Sequence, residues 1–427
     1  MSIPGVTTKI RDRFYSVTRN DTPTGPRVVA IARRSTADGT GGIADLDVVK
    51  ASNEADVITI FGEGSDAHKA FIELIIAGAE RIYVVPLPSN TVFNHTTGSL
   101  TSGGVSIFQE AFDAAEAALP DIIIPWGRGG NSTDWESPAA TPTDADEFGF
   151  YADNSSTLSY SWAYKVANAV KSISENSNPC IAVMGVKPYA PQNVSAAGSE
   201  KMTPGQVATH LGLSNLADRN GNGTYDNINE IYQKELGPYV SIVATELKPV
   251  NYTSGTTDFG YSNGASFLAG TLSKLSSYSS LVNKPVYNIQ SLRYAPTRSQ
   301  QSTLATKGVN TVVLNFNKVA VFGESLTFAQ ATSDYTRLST KRIIDEAVTL
   351  VRQVCQSFVG EPSNIQTRNS METAITSALR GMQLLGAILG SDFSVSYIPA
   401  QNKAIVDLVL TPAFELRNIE VQVAINL

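Results

Sequence analysis

The segment DAHKAFIELIIAGAERIYVVPL, residues 66–87, contains the repeating unit that decides the fold. Residues 66–77 have the pattern of an amphipathic helix, and RIYVVPL (81–87) is a short apolar run typical of a buried strand. The unit recurs along the chain, where helix-like segments lead into the strand-like runs DIIIPWG and CIAVMGV. Buried strands that alternate with helices indicate right-handed βαβ crossovers. We therefore predict an α/β fold with a mostly parallel sheet and flanking helices.

The size and composition of the chain predict a globular protein with more than one domain. Its 427 residues exceed the size at which single hydrophobic cores usually stop growing. The net charge of -7 gives no sign of a nucleic-acid or anionic-membrane surface, which would need clustered basic residues. The N-terminus lacks the apolar segment of a signal peptide, and no apolar run of about 18 residues occurs. We expect a protein that folds in a cytoplasm, without membrane insertion and without binding nucleic acid.

The segment RNIEVQVAINL, residues 417–427, is a strongly patterned strand without an obvious partner. Apolar and polar side chains alternate along it, so one of its faces is expected to be buried. No turn or further strand follows it in the sequence. Its backbone groups must therefore pair either with its own sheet or with another chain.

The hundred residues before this strand carry clear helix and hairpin signals. One helix is predicted over 339–356, and a second is predicted to begin at Asn369, with Glu372 completing a capping box and Gly390 ending it. Residues 393–398 and 404–410 are predicted to form a hairpin. Further upstream, Gly-, Ser- and Pro-rich stretches near 88–106 and 128–158 are expected to form surface loops or small protrusions.

One motif suggests a hydrolase. GYSNG (260–264) matches the G-x-S-x-G nucleophile elbow, in which Ser262 would have to lie exposed between a buried strand and a helix. The preceding NYTSGTTDF does not have the pattern of a core strand, and all three histidines lie upstream of Ser262. A glycine-rich turn before a helix is the better interpretation.

A second motif suggests weak calcium binding. DRNGNGTYDNIN (218–229) has the alternating oxygen ligands of an EF-hand loop, at Asp218, Asn220, Asn222 and Asp226. Asn229 stands where a bidentate Glu is required, so an ordinary surface turn is the better interpretation.

Other chemical signals are weak. GRGG (127–130) matches no phosphate-binding motif, and the two cysteines fit no zinc site or disulfide framework. His68 and His95 have no second ligand at metal spacing, so we expect them at the surface or in an interface. We therefore expect no cofactor and no enzymatic activity. The strand and arm signals favour a role in assembly.

Three segments of the C-terminal third match the pattern of one known family. VFGESLTFAQATSDYTRLSTKRII (321–344) is similar to a family segment in which a strand leads through an aromatic residue into a basic helix start. SFVGEPSN (357–364) is similar to the family's inter-helix turn, and ALRGMQLLGAILGSDFSV (378–395) to its Leu-x-x-Gly helix and following strand. These segments resemble the contractile phage tail sheath proteins, including the sheaths of phage-derived contractile injection systems. The resemblance is specific over about 310–427 and looser over 1–300.

The resemblance implies four parts: an N-terminal arm (1–20), an α/β domain (21–250), a C-terminal α+β sheath domain next to the tube (251–410) and a C-terminal arm (411–427). The two arms, from neighbouring subunits, would add as strands to the hairpin of a third subunit. The C-arm would use Ile419, Val421, Val423 and Ile425. The N-arm would use Val6, Thr8, Ile10 and Phe14. The acceptor hairpin would use Phe393, Val395, Tyr397, Val406 and Leu408.

The resemblance also implies a function. The chain would be a structural subunit of a virion tail, assembled in the host cytoplasm as stacked hexameric rings around a tail tube. On a signal from the baseplate the sheath would contract and drive the tube through a cell envelope; a tail terminator would be a further partner. Helix 339–356 resembles the tube-contacting helix, with Lys341, Arg342, Asp345 and Glu346 as its tube-facing residues.

Two alternatives remain open. One is another self-assembling virion or surface-array protein, which should form flat sheets instead of cylinders. The other is a monomeric α/β hydrolase that uses Ser262.

Overall fold

The computed structural model describes residues 25–35, 45–94, 99–125, 162–186, 235–254, 257–262, 264–293, 295–398, 400, 403–413 and 415. The helices are α1 (Glu54–Phe61), α2 (Asp66–Ala77), α3 (Phe108–Ala117), α4 (Trp162–Asn176), α5 (Ala265–Lys274), α6 (Arg298–Thr306), α7 (Leu338–Gln356) and α8 (Ile365–Leu384), with a 3₁₀ turn at Gly237–Tyr239. The strands of the first half are β1 (Arg27–Arg33), β2 (Val49–Ala51), β3 (Arg81–Leu87), β4 (Val92–Asn94), β5 (Ser99–Ser102), β6 (Val105–Ser106), β7 (Ile122–Pro125) and β8 (Ile181–Gly185). Those of the second half are β9 (Val240–Val243), β10 (Leu247–Pro249), β11 (Thr253–Ser254), β12 (Thr257–Asp258), β13 (Ile289–Leu292), β14 (Val309–Asn310), β15 (Val312–Leu314), β16 (Ala320–Phe322), β17 (Ile388–Ile398) and β18 (Lys403–Pro412).

A seven-stranded sheet with the order β14-β9-β8-β7-β1-β3-β2 forms the centre of the molecule. Its neighbouring strands are parallel, apart from β2, which runs antiparallel to β3 at one edge. In β1, the run from Val28 to Ala32 is buried on both faces, as an apolar run in a parallel sheet requires. The predicted α/β fold with a mostly parallel sheet is confirmed.

Helices cover both faces of this sheet. On one face, side chains of α3, α4 and α6 form a hydrophobic cluster that includes Phe112, Trp162 and Leu304. On the other face, α1, α2 and α5 form a second cluster that includes Phe61 and Phe267. The helices α2 and α5 approach so closely that a Cβ atom at Gly270 would lie 2.4 Å from the Cβ of Ala77. The sheet and the helices on its two faces therefore form a three-layer unit, which we call the sheet body.

The C-terminal helices and hairpin form a third hydrophobic cluster, which begins at Ile343 in α7 and includes Met371 and Ile375 of α8. Leu338, at the start of α7, still belongs to the cluster beneath the sheet. The helix α7 thus connects the two units. The hydrophobic clusters divide near residue 340, whereas the predicted boundary at 250 falls inside the sheet body, because α5 and β14 complete that body.

The boundaries predicted for the second C-terminal helix are wrong at both ends. Its N-cap is Asn364, whose side chain accepts a hydrogen bond from the backbone N–H of Thr367, so the helix begins about one turn before Asn369. At its end, Gly386 takes the left-handed conformation (φ 72°), and the N–H of Ala387 donates to the carbonyl of Met382 in a Schellman arrangement. Gly390 lies in β17 instead.

Residues 88–106 include a small antiparallel sheet, β4-β5-β6, where a loop or protrusion was expected. The second expected protrusion, 128–158, lies outside the described residues. Among the helices described, none is sufficiently long and apolar to cross a membrane.

Candidate assembly interface

The predicted hairpin is present, and its strands are longer than the average strand. Strand β17 has 11 residues and β18 has 10, and they pair antiparallel, with Phe393 opposite Leu408 and Val395 opposite Val406. All five predicted acceptor residues lie in this pair: Phe393, Val395, Tyr397, Val406 and Leu408. Their role as acceptors stays a prediction.

The hairpin has one covered face and one open face. Its inner face packs on α7 and α8, so that the five acceptor side chains are half-buried in the third hydrophobic cluster. The guanidinium of Arg368 lies 4.2 Å from the ring centroid of Tyr397, which fixes the hairpin to α8. Its outer face exposes Asp392, Ser394, Ser396, Asp407 and Val409. The alternation along each strand therefore sets a definite inside and outside.

The two edges of the hairpin are the part of this unit where backbone groups have no strand partner among the described residues. Within the described residues, neither β17 nor β18 pairs with a third strand. Each edge then presents a row of backbone N–H and C=O groups, which is a template for another strand. The geometry can accept an extended segment on either side.

The chain leaves this unit at a defined point. The N–H of Ala413 donates to the carbonyl of Ala387 (3.0 Å), and the hydroxyl of Ser339 donates to the carboxylate of Glu415. The first contact ties the end of β18 to the residue before β17, and the second ties Glu415 to the start of α7. Glu415, the last residue described, therefore lies beside the start of α7.

The structure places two of the predicted tube-facing residues inside the molecule. The ammonium of Lys341 binds the carboxylate of Asp345 and lies 4.9 Å from the ring centroid of Tyr239. Lys341 is only 4% exposed. Burial raises the pKa of Asp345, although the positive charge of Lys341 acts in the opposite direction. This pair therefore joins α7 to the sheet body.

The other two predicted tube-facing residues also contact the chain itself. Arg342 donates to the carbonyls of Leu275 (2.6 Å) and Ser276 (3.1 Å), and burial lowers its pKa to about 10. Glu346 is exposed but accepts a hydrogen bond from the hydroxyl of Ser277. The four residues are thus not a free charged surface. The sequence did not reveal this because their partners lie far away in the chain.

A residue that the sequence analysis did not single out strengthens the same junction. Arg352 of α7 donates to the carbonyls of Ser174 (3.3 Å), Glu175 (3.0 Å) and Ser177 (2.9 Å) at the end of α4. Carbonyl groups at a helix C-terminus are unpaired and carry partial negative charge, so a cation is favourable there. No motif in the sequence indicates this long-range contact.

Helix α8 has one exposed face. Its buried side chains point to α7 and the hairpin, and the opposite face is exposed. We call this the outer face of α8; it consists of Thr373, Ser377, Arg380, Gly381 and Leu384.

The structure does not support the hydrolase alternative. Ser262 is fully buried, its backbone pairs with Leu247, and its hydroxyl accepts a hydrogen bond from the N–H of Gly264 (3.3 Å). A nucleophile elbow would instead expose the serine. The serine therefore stabilises the turn before α5.

His68 was expected at the surface or in an interface but is fully buried, because α2 lies between α1 and α5. Its Nδ1 accepts from the N–H of Gly64 (3.0 Å), and its Nε2 lies 3.3 Å from a carboxylate oxygen of Glu54. These contacts account for the histidine without a ligand. In the described part of the chain, no group of three or more His, Cys, Asp or Glu side chains is arranged to hold a metal ion.

Several predicted sites lie outside the described residues: the N-arm (Val6, Thr8, Ile10, Phe14), the C-arm (Ile419, Val421, Val423, Ile425), the calcium candidate (Asp218, Asn220, Asn222, Asp226), GRGG and His95.

Comparison with known proteins finds similar structures but no matching family model or curated sequence. Solved structures do match, and three of them are similar over nearly the whole chain. A chain of the anti-feeding prophage baseplate, in a six-fold symmetrised structure, is 14% identical with a TM-score of 0.62 and 100% of both chains covered. The PVC sheath complex of an extracellular contractile injection system, in its contracted state, is 12% identical with a TM-score of 0.58 (99% of this chain, 98% of that one). The sheath tail protein Lin1278 from Listeria innocua is 12% identical with a TM-score of 0.55 (92% and 93%). The resemblance to contractile sheath proteins is confirmed at the level of the fold.

Proposed function

We propose that this chain is a structural subunit of a contractile sheath and that it polymerises by strand addition to the β17–β18 hairpin. One observation carries the proposal. In a chain with the sheath fold, a long hairpin packs on helices through one face, and both of its edges are unpaired within the described residues. A two-stranded ribbon of this length is marginally stable alone and gains stability from each added strand.

In this proposal the C-arm of a neighbouring subunit adds to one edge of the hairpin. Residues 417–427 carry apolar side chains at alternate positions, as the inner face of the hairpin does. At about 3.3 Å per residue, eleven residues extend over roughly 36 Å, which matches the 11 residues of β17. Val421 and Val423 would continue the inner face over the helices. The polar residues of the arm would join the exposed outer face.

The N-arm would add to the other edge, with charge setting its register. Its apolar positions are Val6, Ile10 and Phe14, and Lys9, Arg11 and Arg13 fall on the opposite side of an extended strand. With the apolar side over the helices, these basic side chains reach the outer face, which carries Asp392 and Asp407. Opposite charges on neighbouring strands contribute about 0.2–1 kcal/mol each, and a slip of one residue turns every side chain over.

The larger assembly follows from the same proposal. Subunits would form hexameric rings stacked around a tail tube, with baseplate and terminator proteins at the ends. The six-fold symmetry of the similar baseplate structure supports this arrangement. During contraction the closed sheet body would move as a rigid unit while the arms bend as hinges. The free energy stored at assembly would drive the movement, without an enzymatic activity or a cofactor.

We also propose that the tube contact lies on the outer face of α8 instead of on Lys341, Arg342, Asp345 and Glu346. Lys341, Arg342 and Glu346 contact the sheet body, and Asp345 binds Lys341. Arg380 and Leu384, in contrast, are exposed. The proposed tube contact therefore lies on α8, the second helix of the C-terminal pair, and not on α7.

The test is negative-stain electron microscopy of four purified proteins: the full-length chain, a truncation after Leu416, Val423→Asp and Gln422→Asp. Truncation after Leu416 keeps Glu415, which binds Ser339 within the same chain. The two substitutions place the same charge on opposite faces of the C-arm. We expect rings or cylinders from the full-length chain and from Gln422→Asp, and monomers from the other two.

Circular dichroism and thermal unfolding will show whether each monomer is folded. Cylinders from all four proteins would contradict strand addition by the C-arm. Unfolding of the truncated monomer would place the last strand in its own core. Flat sheets from the full-length chain would favour a surface-array protein.

A further inference from the structure

We infer that neighbouring copies also meet through complementary charge, with a basic edge of one sheet body against the acidic helix α3 of the next; this rests on the proposed function. Residues 259–323 contain six basic residues and no acidic one. Since the whole chain carries a net charge of -7, the other 362 residues carry -13. The six basic residues are Lys274, Lys284, Arg293, Arg298, Lys307 and Lys318. The fold brings several of these basic residues to one edge of the sheet.

Four of these residues lie around the β14 edge of the sheet. We call Lys284, Arg298, Lys307 and Lys318 the basic edge. Arg298 is the first residue of α6, and Lys307 directly follows its last residue. Both precede β14, the outermost strand of the described sheet. The carbonyl of Lys284 accepts from the N–H of Phe322 in β16 (3.0 Å), and Lys318 lies in the β15–β16 turn. Within the described part of the chain, none of the four takes part in an ion pair.

An exposed apolar tip lies next to two residues of the basic edge in the chain, Lys318 and Lys284. Phe316 in the β15–β16 turn is fully exposed, and three neighbours are exposed as well: Tyr287, Leu314 and Val319. The side chain of Asn315 holds the turn, because its Oδ1 accepts from the N–H groups of Asn317 (3.0 Å) and Val319 (2.9 Å). An exposed apolar cluster with a polar rim is typical of an interaction surface. A turn that is already ordered loses little conformational entropy on binding.

The complementary surface lies toward the other side of the sheet. Helix α3 carries Glu110, Asp113 and Glu116 and no basic residue, and residues 99–161 contain ten acidic residues and one basic residue. The helix packs against β1 and β3. From β14 to β3 there are five strand spacings, which correspond to roughly 24 Å. The basic edge and the acidic helix of one copy therefore cannot meet each other.

Two such surfaces on opposite sides of a subunit fit a second copy of the same chain. Contact between the basic edge of one copy and α3 of the next is a head-to-tail interface, which repeats into a ring or a helix and does not close as a dimer. Complementary charge also suppresses wrong orientations. An acidic chain that carries its own complement needs no nucleic acid or anionic membrane to neutralise the basic edge.

The test uses two charge-reversed versions of the full-length chain. The basic-edge variant carries Lys284→Glu, Arg298→Glu and Lys318→Glu, and the helix variant carries Glu110→Lys and Asp113→Lys. Each variant alone presents two surfaces of the same sign. In a mixture, each surface of one variant meets an opposite charge on the other. Glu80→Lys with Glu361→Lys is the control matched to the helix variant: it changes the net charge by the same amount, both residues are exposed, and neither lies in α3, the basic edge, the hairpin or the outer face of α8.

Sedimentation and electron microscopy at about 0.1 M salt measure the concentration at which each protein assembles. We expect at least a tenfold increase for each variant alone, recovery in the equimolar mixture, and little change for the control. At about 1 M salt, where the Debye length falls from about 10 Å to about 3 Å, the difference between wild type and variants should shrink.

Three outcomes would overturn the inference: assembly of both variants at the wild-type concentration, a folded mixture that fails to recover, or an equal loss in the control. In each of these cases the proposed function stands if the wild-type chain forms cylinders that need its C-arm. If the wild-type chain never associates, the proposed function fails as well.

Discussion

The sheet body and the C-terminal helix–hairpin unit differ in how many faces of their β-sheet are covered by helices. In the sheet body, helices cover both faces, and β1 and β7 are buried along nearly their whole length. In the C-terminal unit, helices cover one face of the hairpin, and half-buried and exposed residues alternate along β17 and β18. The first arrangement is complete within one chain. Among the described residues, the second leaves one face uncovered and two edges without a strand partner.

This difference predicts where stability and assembly reside. Burial of apolar side chains is the main favourable term in folding, and it is concentrated in the two clusters around the seven-stranded sheet. The hairpin contributes less to the monomer and more to the contacts between copies. Substitutions in the two regions should therefore affect different measurements.

The largest expected difference is between two phenylalanines. Phe112 is 1% exposed in the cluster between α3 and the sheet. Phe393, on the inner face of the hairpin, is only half-buried. Phe112→Ala should lower the free energy of unfolding by about 3–5 kcal/mol, since it removes a fully buried ring and leaves a cavity. Phe393→Ala should cost only about 1–2 kcal/mol. Calorimetry of both variants measures the loss in stability, and electron microscopy measures assembly.

We expect Phe393→Ala to impair assembly at a temperature at which its monomer is folded. Equal destabilisation by the two substitutions would show that the hairpin is part of one core with the sheet, which would remove the contrast between the regions.

The second prediction concerns the buried ion pair that joins the two regions. Asp345→Ala leaves the ammonium of Lys341 buried beside Tyr239 without its partner, so the free energy of unfolding should fall by about 3 kcal/mol. Replacing both residues, as Lys341→Met with Asp345→Leu, should cost less than the single change, because no uncompensated charge remains. Thermal unfolding of the single and double variants gives the comparison. A double variant that is less stable than Asp345→Ala would contradict this expectation.

This pair also shows what sequence reasoning could not reach. The alternation of apolar runs and helices predicted the parallel sheet, since its periodicity is a local property. A charged run such as Lys341 to Glu346 has the same local appearance whether solvent or another element covers it. Its partners Tyr239, Leu275 and Ser277 become neighbours only through the fold.

Helix α8 illustrates a second limit. Ile365 and Gln366 at its start are exposed, and the first fully buried side chain of the helix is Met371. The apolar periodicity therefore starts later than the helix, and Asn369 with Glu372 gave a plausible but wrong cap. The strand partners of the sheet were also beyond local reasoning, because β14 joins β9 from about 67 residues away, as the pairing of Val309 with Ile242 shows.

The third prediction tests the junction through an exposed arginine. Arg352→Ala removes three hydrogen bonds to the carbonyl end of α4. Because Arg352 is exposed, we expect a loss of about 1–2 kcal/mol. Arg380→Ala, at an exposed position on the outer face of α8, is the matched control and should change the free energy of unfolding by less than about 0.5 kcal/mol. Denaturant unfolding compares the two, and an equal effect would contradict the role of Arg352 at the junction.

The smallest expected effect separates stability from assembly on α8 itself. Gly381 lies inside the helix, and a Cβ atom there would meet no atom within 4 Å. Gly381→Ala should therefore raise the free energy of unfolding by about 0.5–1 kcal/mol, because alanine loses less backbone entropy in a helix. Gly386→Ala is the contrasting control: its surroundings are equally open, but its φ of 72° makes alanine unfavourable by about 1 kcal/mol. If the outer face of α8 contacts the tube, Gly381→Ala should give a more stable monomer that assembles less well around a tube. A variant that gains in both measurements would place the tube contact elsewhere.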